Sequence, residues 1–265
     1  MSDKNTSPIN INVPVVPESV DNAVKNLTDA PSKEIGKTFS DVWYLVFGGL
    51  SQKAAMRRMK YEHKLELYYQ ELQDSISKIP KEKKLEPDIQ VTAQALENSK
   101  YCVESEELRN MFINLISKSM NSDFKNEIHP SFAEIIKQMS STDAQIFKSL
   151  SSCRSFPLVD YIHRDHDGNK YTVQFSTAYM PSIPDITIEV ASSSISSLSR
   201  LGLIDIDSQV PLASPDLYEP YKKTNLYRGF SIGAQLASPP KKVDILKYSG
   251  HITPLGLNFL QVCVE

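Results

Sequence analysis

The sequence predicts a mainly α protein with a small α+β part, a helical bundle followed by a winged-helix-like domain. Three observations predict it. Apolar residues recur at intervals of three and four before Leu150, most sharply from Glu106 to Met139. The pattern changes near Ser152, where two strand-like runs flank the turn sequence His166-Asp167-Gly168-Asn169. The run SSLSRLGLIDI, ending at Ile206, then reads as a helix, a glycine stop and an apolar strand. The expected division is a flexible arm over 1–16, a helical domain over 17–150 and a winged-helix-like unit over 151–265 with an insertion at about 209–240.

Bulk composition bounds the function. The chain has 265 residues, 40% apolar and 23% charged, enough for one large core or two ordinary ones. A net charge of -3 argues against a wholly basic nucleic-acid binder, though a local basic patch stays open. Cys102, Cys153 and Cys263 lie far apart and are odd in number, which argues against a disulfide scaffold and for a reducing compartment. The opening MSDKNTSPININVPVVPESV lacks the basic head and continuous apolar segment of a secretory leader. No apolar run is long enough to span a bilayer, the nearest being Val42 to Leu50. The expected location is the cytoplasm, with peripheral contact at the inner membrane as the alternative.

Taken in order, residues 1–16 hold three Asn and two Pro among short β-branched runs, and read as a loose arm or one edge strand. A short helix follows Pro17, with Val20, Ala23, Val24 and Leu27 on one face. From Ser32 a denser face forms from Ile35, Phe39, Val42, Trp43, Val46 and Phe47, widened by Tyr44 and Leu45 and interrupted by Gly48-Gly49. Three readings stand: a buried core helix with a glycine hinge, a conditional membrane-inserting hairpin or interfacial anchor, or a partner-binding helix. Trp43, Tyr44, Phe47, Gly48 and Gly49, with Arg57 and Arg58 beyond them, are the candidates for partner or membrane contact. A long helix is expected from about Gln52 to Ile79. It begins with Lys53, Arg57, Arg58, Lys60 and Lys64, and later shows an apolar face of Leu65, Tyr68 or Tyr69, Leu72, Ile76 and Ile79. The basic cluster reads as solvated surface, or as a contact for phosphate backbone or anionic lipid.

Lys78 to Pro87 is a charged linker, and Asp88 to Lys100 a helix using Ile89, Ala93 and Leu96. Next comes the best-formed stretch. Ser105 can cap a helix whose first turn carries Glu106 and Glu107 and whose core face is Leu108, Met111, Phe112, Leu115 and Ile116. After a polar loop, His129 precedes Pro130, which suits the first position of a second helix with Phe132, Ile135, Ile136 and Met139 inward. Ser141 or Thr142 can cap a third, with Ala144, Phe147 and Leu150 inward.

Beyond Ser152, Phe156 to Ile162 and Lys170 to Ser176 read as strands. Val190 to Arg200 reads as a helix ended by Gly202, with Leu203, Ile204 and Ile206 in a following strand. Gln209 to Pro240 reads as a loop or extended wing. A strand closes at His251-Ile252, and Thr253 with Pro254 can start a terminal helix packed by Leu255, Phe259, Leu260 and Val262.

The chemistry-bearing motifs are weak. His163 and His166 lie among Asp160, Asp165 and Asp167, but a hairpin turn attracts the same residues and strand alternation splits them between faces. A calcium-loop reading of Asp165, Asp167 and Asn169 fails on the placement of Gly168 and the lack of a later bidentate Glu. No HExxH, phosphate-binding loop, GxGxxG or GxSxG occurs. The serines from Ser192 to Ser199 have no base beside them in sequence. No catalytic residue, metal or cofactor is expected. Distant residues meeting in space stay open. For nucleic acid the candidates are Arg200 on the 192–200 helix and Lys222, Lys223, Arg228, Lys241 and Lys242 as a basic wing.

The run Glu106-Glu107-Leu108-Arg109-Asn110-Met111-Phe112-Ile113-Asn114-Leu115-Ile116-Ser117-Lys118-Ser119-Met120, then His129-Pro130-Ser131-Phe132, Ile135-Ile136-Lys137-Gln138-Met139-Ser140 and Asp143-Ala144, resembles the abortive infection alpha family of bacteria. The resemblance covers about 35–260 and is concentrated in 105–150. It implies a role in defence against phage by arresting or killing the infected cell, and no known reaction. The motif residues Leu108, Met111, Phe112, Leu115, His129, Pro130 and Phe132 read as structural. The expected function is a non-enzymatic anti-phage protein that senses an infection-linked protein partner, phage-derived in one version, and changes conformation. Homo-oligomerisation is open. The alternatives are a membrane-perturbing effector using 35–50 and a DNA-binding winged-helix regulator.

Overall fold

The computed structural model describes residues 39, 41–43, 45–47 and 55–265, with the backbone alone for 55–62. The expected arm, the helix after Pro17, Tyr44, Gly48-Gly49 and the side chains of Arg57 and Arg58 lie outside the described residues. The fold is mainly helical with one four-stranded antiparallel sheet.

Residues 39, 41–43 and 45–47 are helical. Helix α1 (Ala55–Ser77) follows, then α2 (Ile89–Ser99), α3 (Glu106–Ser119), α4 (Phe132–Gln138) and α5 (Ser141–Leu150). Local chemistry sets their starts. Asp88 accepts from the N–H groups of Gln90 and Val91 to open α2, and Ser105 accepts from Leu108 N–H to open α3. Two starts differ from the sequence reading. Helix α4 begins at Phe132, so Pro130 sits in the turn before it. His129 Nδ1 accepts there from Ser131 N–H at 3.2 Å and holds that turn. Helix α5 is capped by Ser140, not by Ser141 or Thr142. Ser140 Oγ accepts from Asp143 N–H while Asp143 Oδ2 accepts from Ser140 N–H, and only the residue three before Asp143 can close both bonds.

The strands are β1 (Ser155–Arg164), β2 (Tyr171–Ala178), β3 (Ile204–Asp207) and β4 (Lys242–Ile252), ordered β2-β1-β4-β3. The β1–β2 turn contains Gly168 at φ +72, the left-handed backbone that glycine adopts without side-chain strain. Helix α6 (Ile188–Arg200) ends on Gly202 at φ +75. Leu203 N–H donates to Leu198 O and Gly202 N–H to Ser199 O, which closes the helix and turns the chain into β3. Helix α8 (Pro254–Phe259) starts on Thr253, whose Oγ1 accepts from Gly256 N–H. It continues into a π turn over Leu260–Val264.

Between β3 and β4 the chain forms a 3-10 helix, Pro215–Lys223, and helix α7 (Asn225–Leu236), where a loop or wing was expected. Burial explains the difference. Tyr218 and Tyr221 are fully inside, packed with Val159, Tyr161 and Ile245 on the sheet face turned away from the bundle. Thr224 caps α7 through Tyr227 N–H. The sheet is therefore covered on both faces, which is why β1 is buried along most of its length. The main core runs without a break from Phe39 through the bundle and the other sheet face to Cys263. Phe259 stacks edge-on against Phe132 and Phe147, which seats the end of the chain in the bundle.

Candidate functional site

Two places in the fold combine recognisable chemistry with unusual connection. The first is α3. Its Leu108, Met111, Phe112 and Leu115 are buried, as is Phe132 on α4, whereas His129 and Pro130 are exposed. Four polar side chains of α3 reach three other parts of the fold. Glu107 accepts from Ser141 Oγ at 2.7 Å and Gln145 Nε2 at 2.6 Å on α5, and from Ser105 Oγ at 3.1 Å. Arg109 Nε donates to Glu71 on α1 at 2.8 Å, and its Nη1 donates to Val103 O at 3.1 Å. Asn114 Nδ2 donates to Cys263 O at 3.1 Å and Lys118 Nζ to Gln261 O at 2.6 Å, both on the terminal turn. Asp143 extends the set to α6 by accepting from Ser197 Oγ at 3.2 Å. One helix thus ties together α1, α5 and the chain end.

Electrostatics say what this set can do. The hydroxyl of Ser141, then the Gln145 amide and the Ser105 hydroxyl, hold the Glu107 carboxyl down to about 2. Such a carboxylate has no proton to give near neutrality, so the geometry suits a fixed tie better than general acid catalysis.

The second place is the aromatic dock. Trp43 and Phe47 lie 4.4 Å apart between ring centroids with their planes tilted, and Trp43 meets Tyr69 edge-on at 4.8 Å and Tyr68 at a tilt at 5.6 Å. Phe39 adds contacts to Trp43 and Tyr69. Trp43 is 3% exposed and Leu45, on the opposite side, 83%. The 39–47 segment therefore lies with its apolar face on α1. Of the proposed contact residues, the structure brings Trp43 and Phe47 together against Tyr68 and Tyr69. The sequence leaves Tyr68 and Tyr69 as alternatives, and both are buried. Among the described residues no helix is long and apolar enough to cross a membrane.

Three of the nucleic-acid candidates are held by partners of their own. Arg200, at the end of α6, donates to Gln138 at 2.9 Å on the bundle side. Lys222 pairs with Glu219 at 3.0 Å and Lys241 with Asp165 at 3.6 Å. Lys223, Arg228 and Lys242 are exposed. The residues of the His-Asp cluster also have separate partners. His163 Nε2 is 3.0 Å from Phe230 O, and Asp160 accepts from Tyr248 Oη at 2.7 Å and Thr177 N–H at 2.8 Å. Among the described residues no group of three or more His, Cys, Asp or Glu is placed to hold a metal ion.

Sequence reasoning missed the ties of Glu107, Arg109, Asn114 and Asp143. A signal exists for Arg109, which shares a helix face with Phe112 and Ile116, where a charge requires a partner. Glu71 lies 38 residues away on another helix, and no spacing rule links the two.

The family model described as abortive infection alpha matches residues 60–263. No curated protein matches the chain. A solved structure of an uncharacterized protein from the hydrocarbon-degrading marine bacterium Alcanivorax borkumensis aligns at 12% identity. The alignment covers 54% of this chain and 96% of that one at a TM-score of 0.33, too low to carry an argument.

Proposed function

Because the chain belongs to the abortive infection alpha family, we propose that it is a non-enzymatic anti-phage protein that works through contact with a protein partner and a change of conformation. The observation that carries the second half is the aromatic dock. A short helical segment is held on α1 by ring contacts of Phe39, Trp43 and Phe47, and its other face is open to solvent at Leu45. An element held mainly through one side-chain face has two states, docked and released, and a partner that binds the released face shifts the balance. The ties from α3 favour a rigid body from which that segment moves.

A second reading follows from the same face. Once released, Phe39, Val42, Trp43, Val46 and Phe47 form an apolar stripe close in sequence to Lys53, Arg57 and Arg58, a composition suited to an anionic membrane surface. A nucleic-acid role has less support, since Lys222 and Lys241 face acids. The winged-helix-like reading of the C-terminal unit rests on α6, its glycine stop and the strand that follows, and it does not by itself imply DNA.

The test is phage plaquing on bacteria expressing the chain, with culture survival followed at low and high phage-to-cell ratios. Reduced plaquing with collapse of the culture at high ratio is expected. A Phe47→Ala chain, its dock weakened, is expected to slow growth without phage. No protection across a varied phage panel would overturn the defence reading, and unchanged growth with Phe47→Ala would overturn the docked-switch mechanism. Leakage from anionic vesicles by Phe47→Ala, absent with the unaltered chain, would favour the membrane reading over the protein partner.

A further inference from the structure

We propose that α7 and the bases around it form a docking surface for an anionic lipid bilayer. The surface belongs to the folded body and needs no release of the 39–47 segment. Helix α7 packs on the sheet through Leu226, Tyr227, Phe230 and Ala234. Its opposite side is open, with Ile232 60% exposed and Leu236 81%. Arg228, Ile232 and Leu236 are four residues apart and so line one side of the helix. Beside them, a Cβ on Gly229 would meet nothing within 4 Å. The open side is therefore an apolar tip of two aliphatic side chains, with a base one turn before it.

Charge decides what covers the tip. The chain has a net charge of -3, yet from 220 to 243 it holds five bases and no acid. Lys222 and Lys223 stand just before Thr224, which caps α7. Lys241 N–H donates to Ala234 O at 2.9 Å, which sets Lys241 beside the last turn. Bases thus flank both ends of the helix. Lys222 and Lys241 each meet one acid, Glu219 and Asp165, while Lys223 and Arg228 are exposed. Lys242 does not belong to the set. It pairs with Arg164, next to the His163–Val243 pair. His163 faces α7 through Phe230 O, so strand alternation turns Lys242 to the other side of the sheet.

Aliphatic side chains framed by bases match a layer of anionic headgroups over acyl chains. Each base near such a layer raises binding roughly fivefold, and the apolar tip enters the boundary beneath. Other occupants use only part of the surface. A phosphate backbone would meet the bases and gain nothing from Ile232 and Leu236. A second copy docked about a two-fold axis would set Lys223 and Arg228 against the same bases of its partner.

Co-sedimentation of the full-length chain with vesicles of phosphatidylglycerol and phosphatidylethanolamine in equal parts tests this. The chain is expected to sediment with them and to stay in solution with phosphatidylcholine vesicles. Ile232→Ser with Leu236→Ser is expected to lower the partition coefficient roughly tenfold or more, and so is Lys223→Gln with Arg228→Gln. Ile232→Met with Leu236→Met, which keeps the tip apolar, should bind as the unaltered chain does. Tyr101→Ser, which removes an 82% exposed ring just after α2, should leave binding unchanged. Trp43 emission should be the same with and without vesicles. No sedimentation with anionic vesicles would overturn the proposal. So would a loss seen with the charge pair alone, which leaves plain electrostatic adsorption. A shift of Trp43 emission on binding would also overturn it, by assigning the contact to the 39–47 segment.

Discussion

Arg109 and Glu71 join α3 to α1 through an ion pair at 2.8 Å, with the arginine side chain 5% exposed and the glutamate 32%. The guanidinium also donates to Val103 O, so its charge is met on two sides. Removing one partner of such a pair leaves the other without compensation. Arg109→Ala is therefore expected to lower unfolding free energy by about 3 kcal/mol, and Arg109→Met, which keeps volume and removes the charge, by less. Urea unfolding measures both. A loss below about 1 kcal/mol for Arg109→Ala would mean that the pair is peripheral to the bundle.

Glu107 makes stability depend on pH in the acid range. Its folded carboxyl is held down to about 2, from an ordinary value of 4.5. A depressed carboxyl stabilises the fold above its unfolded value, and the contribution is lost as pH falls from about 4.5 towards 2. The unaltered chain is expected to exceed Glu107→Gln in stability by about 1–2 kcal/mol at neutral pH, with the gap narrowing across that window. Denaturant unfolding at several pH values reads it. A gap that does not change with pH would place the effect in packing and not in the charge.

The helices around α3 were legible because their signals are local. Ser105 with Glu106 and Glu107 behind it, and Leu108 to Ile116 at helical spacing, need no distant partner to be read. The same holds for Gly202 and for Thr253 with Pro254. The stretch 209–240 failed for the opposite reason. Its prolines and tyrosines look like a loop until Tyr218 donates to Tyr248 O, Tyr221 to Pro157 O and Tyr161 to Tyr221 O. Those bonds join residues 30, 64 and 60 positions apart, so the helices there are specified by the sheet face they cover. In the candidate site, Trp43 and Phe47 could be picked as an apolar face, but their target on Tyr68 and Tyr69 required the fold.

Two glycines test how closely the end of the chain is packed. A Cβ on Gly256 would collide with the backbone carbonyl of Leu203 and lie 2.8 Å from Ile252 Cγ2. The same carbonyl accepts from Thr253 N–H at 3.1 Å, so it has little freedom to withdraw. Gly256→Ala is expected to cost about 3 kcal/mol. On the exposed side of α7, a Cβ on Gly229 would have nothing within 4 Å, and Gly229→Ala is expected to stabilise by about 0.5–1 kcal/mol. Thermal unfolding of the two variants should move in opposite directions.

Trp43 is the single tryptophan of the chain and sits inside the proposed switch, so its fluorescence reports docking directly. With 3% exposure, its emission should be blue-shifted and poorly quenched by acrylamide. Phe47 packs against it at 4.4 Å between ring centroids, and Phe47→Ala removes that contact together with the one to Tyr68. Truncating a buried Phe costs about 3–5 kcal/mol when the whole core must adjust. If the 39–47 segment is a separable unit, the loss appears as local undocking. Quenching then rises several-fold, while the helical signal of the bundle unfolds at nearly the same urea concentration. If the segment belongs to the cooperative core, Trp43 stays protected and the global midpoint falls. The second outcome would leave no released state for a partner or a membrane to capture, and the docked-switch mechanism would fail.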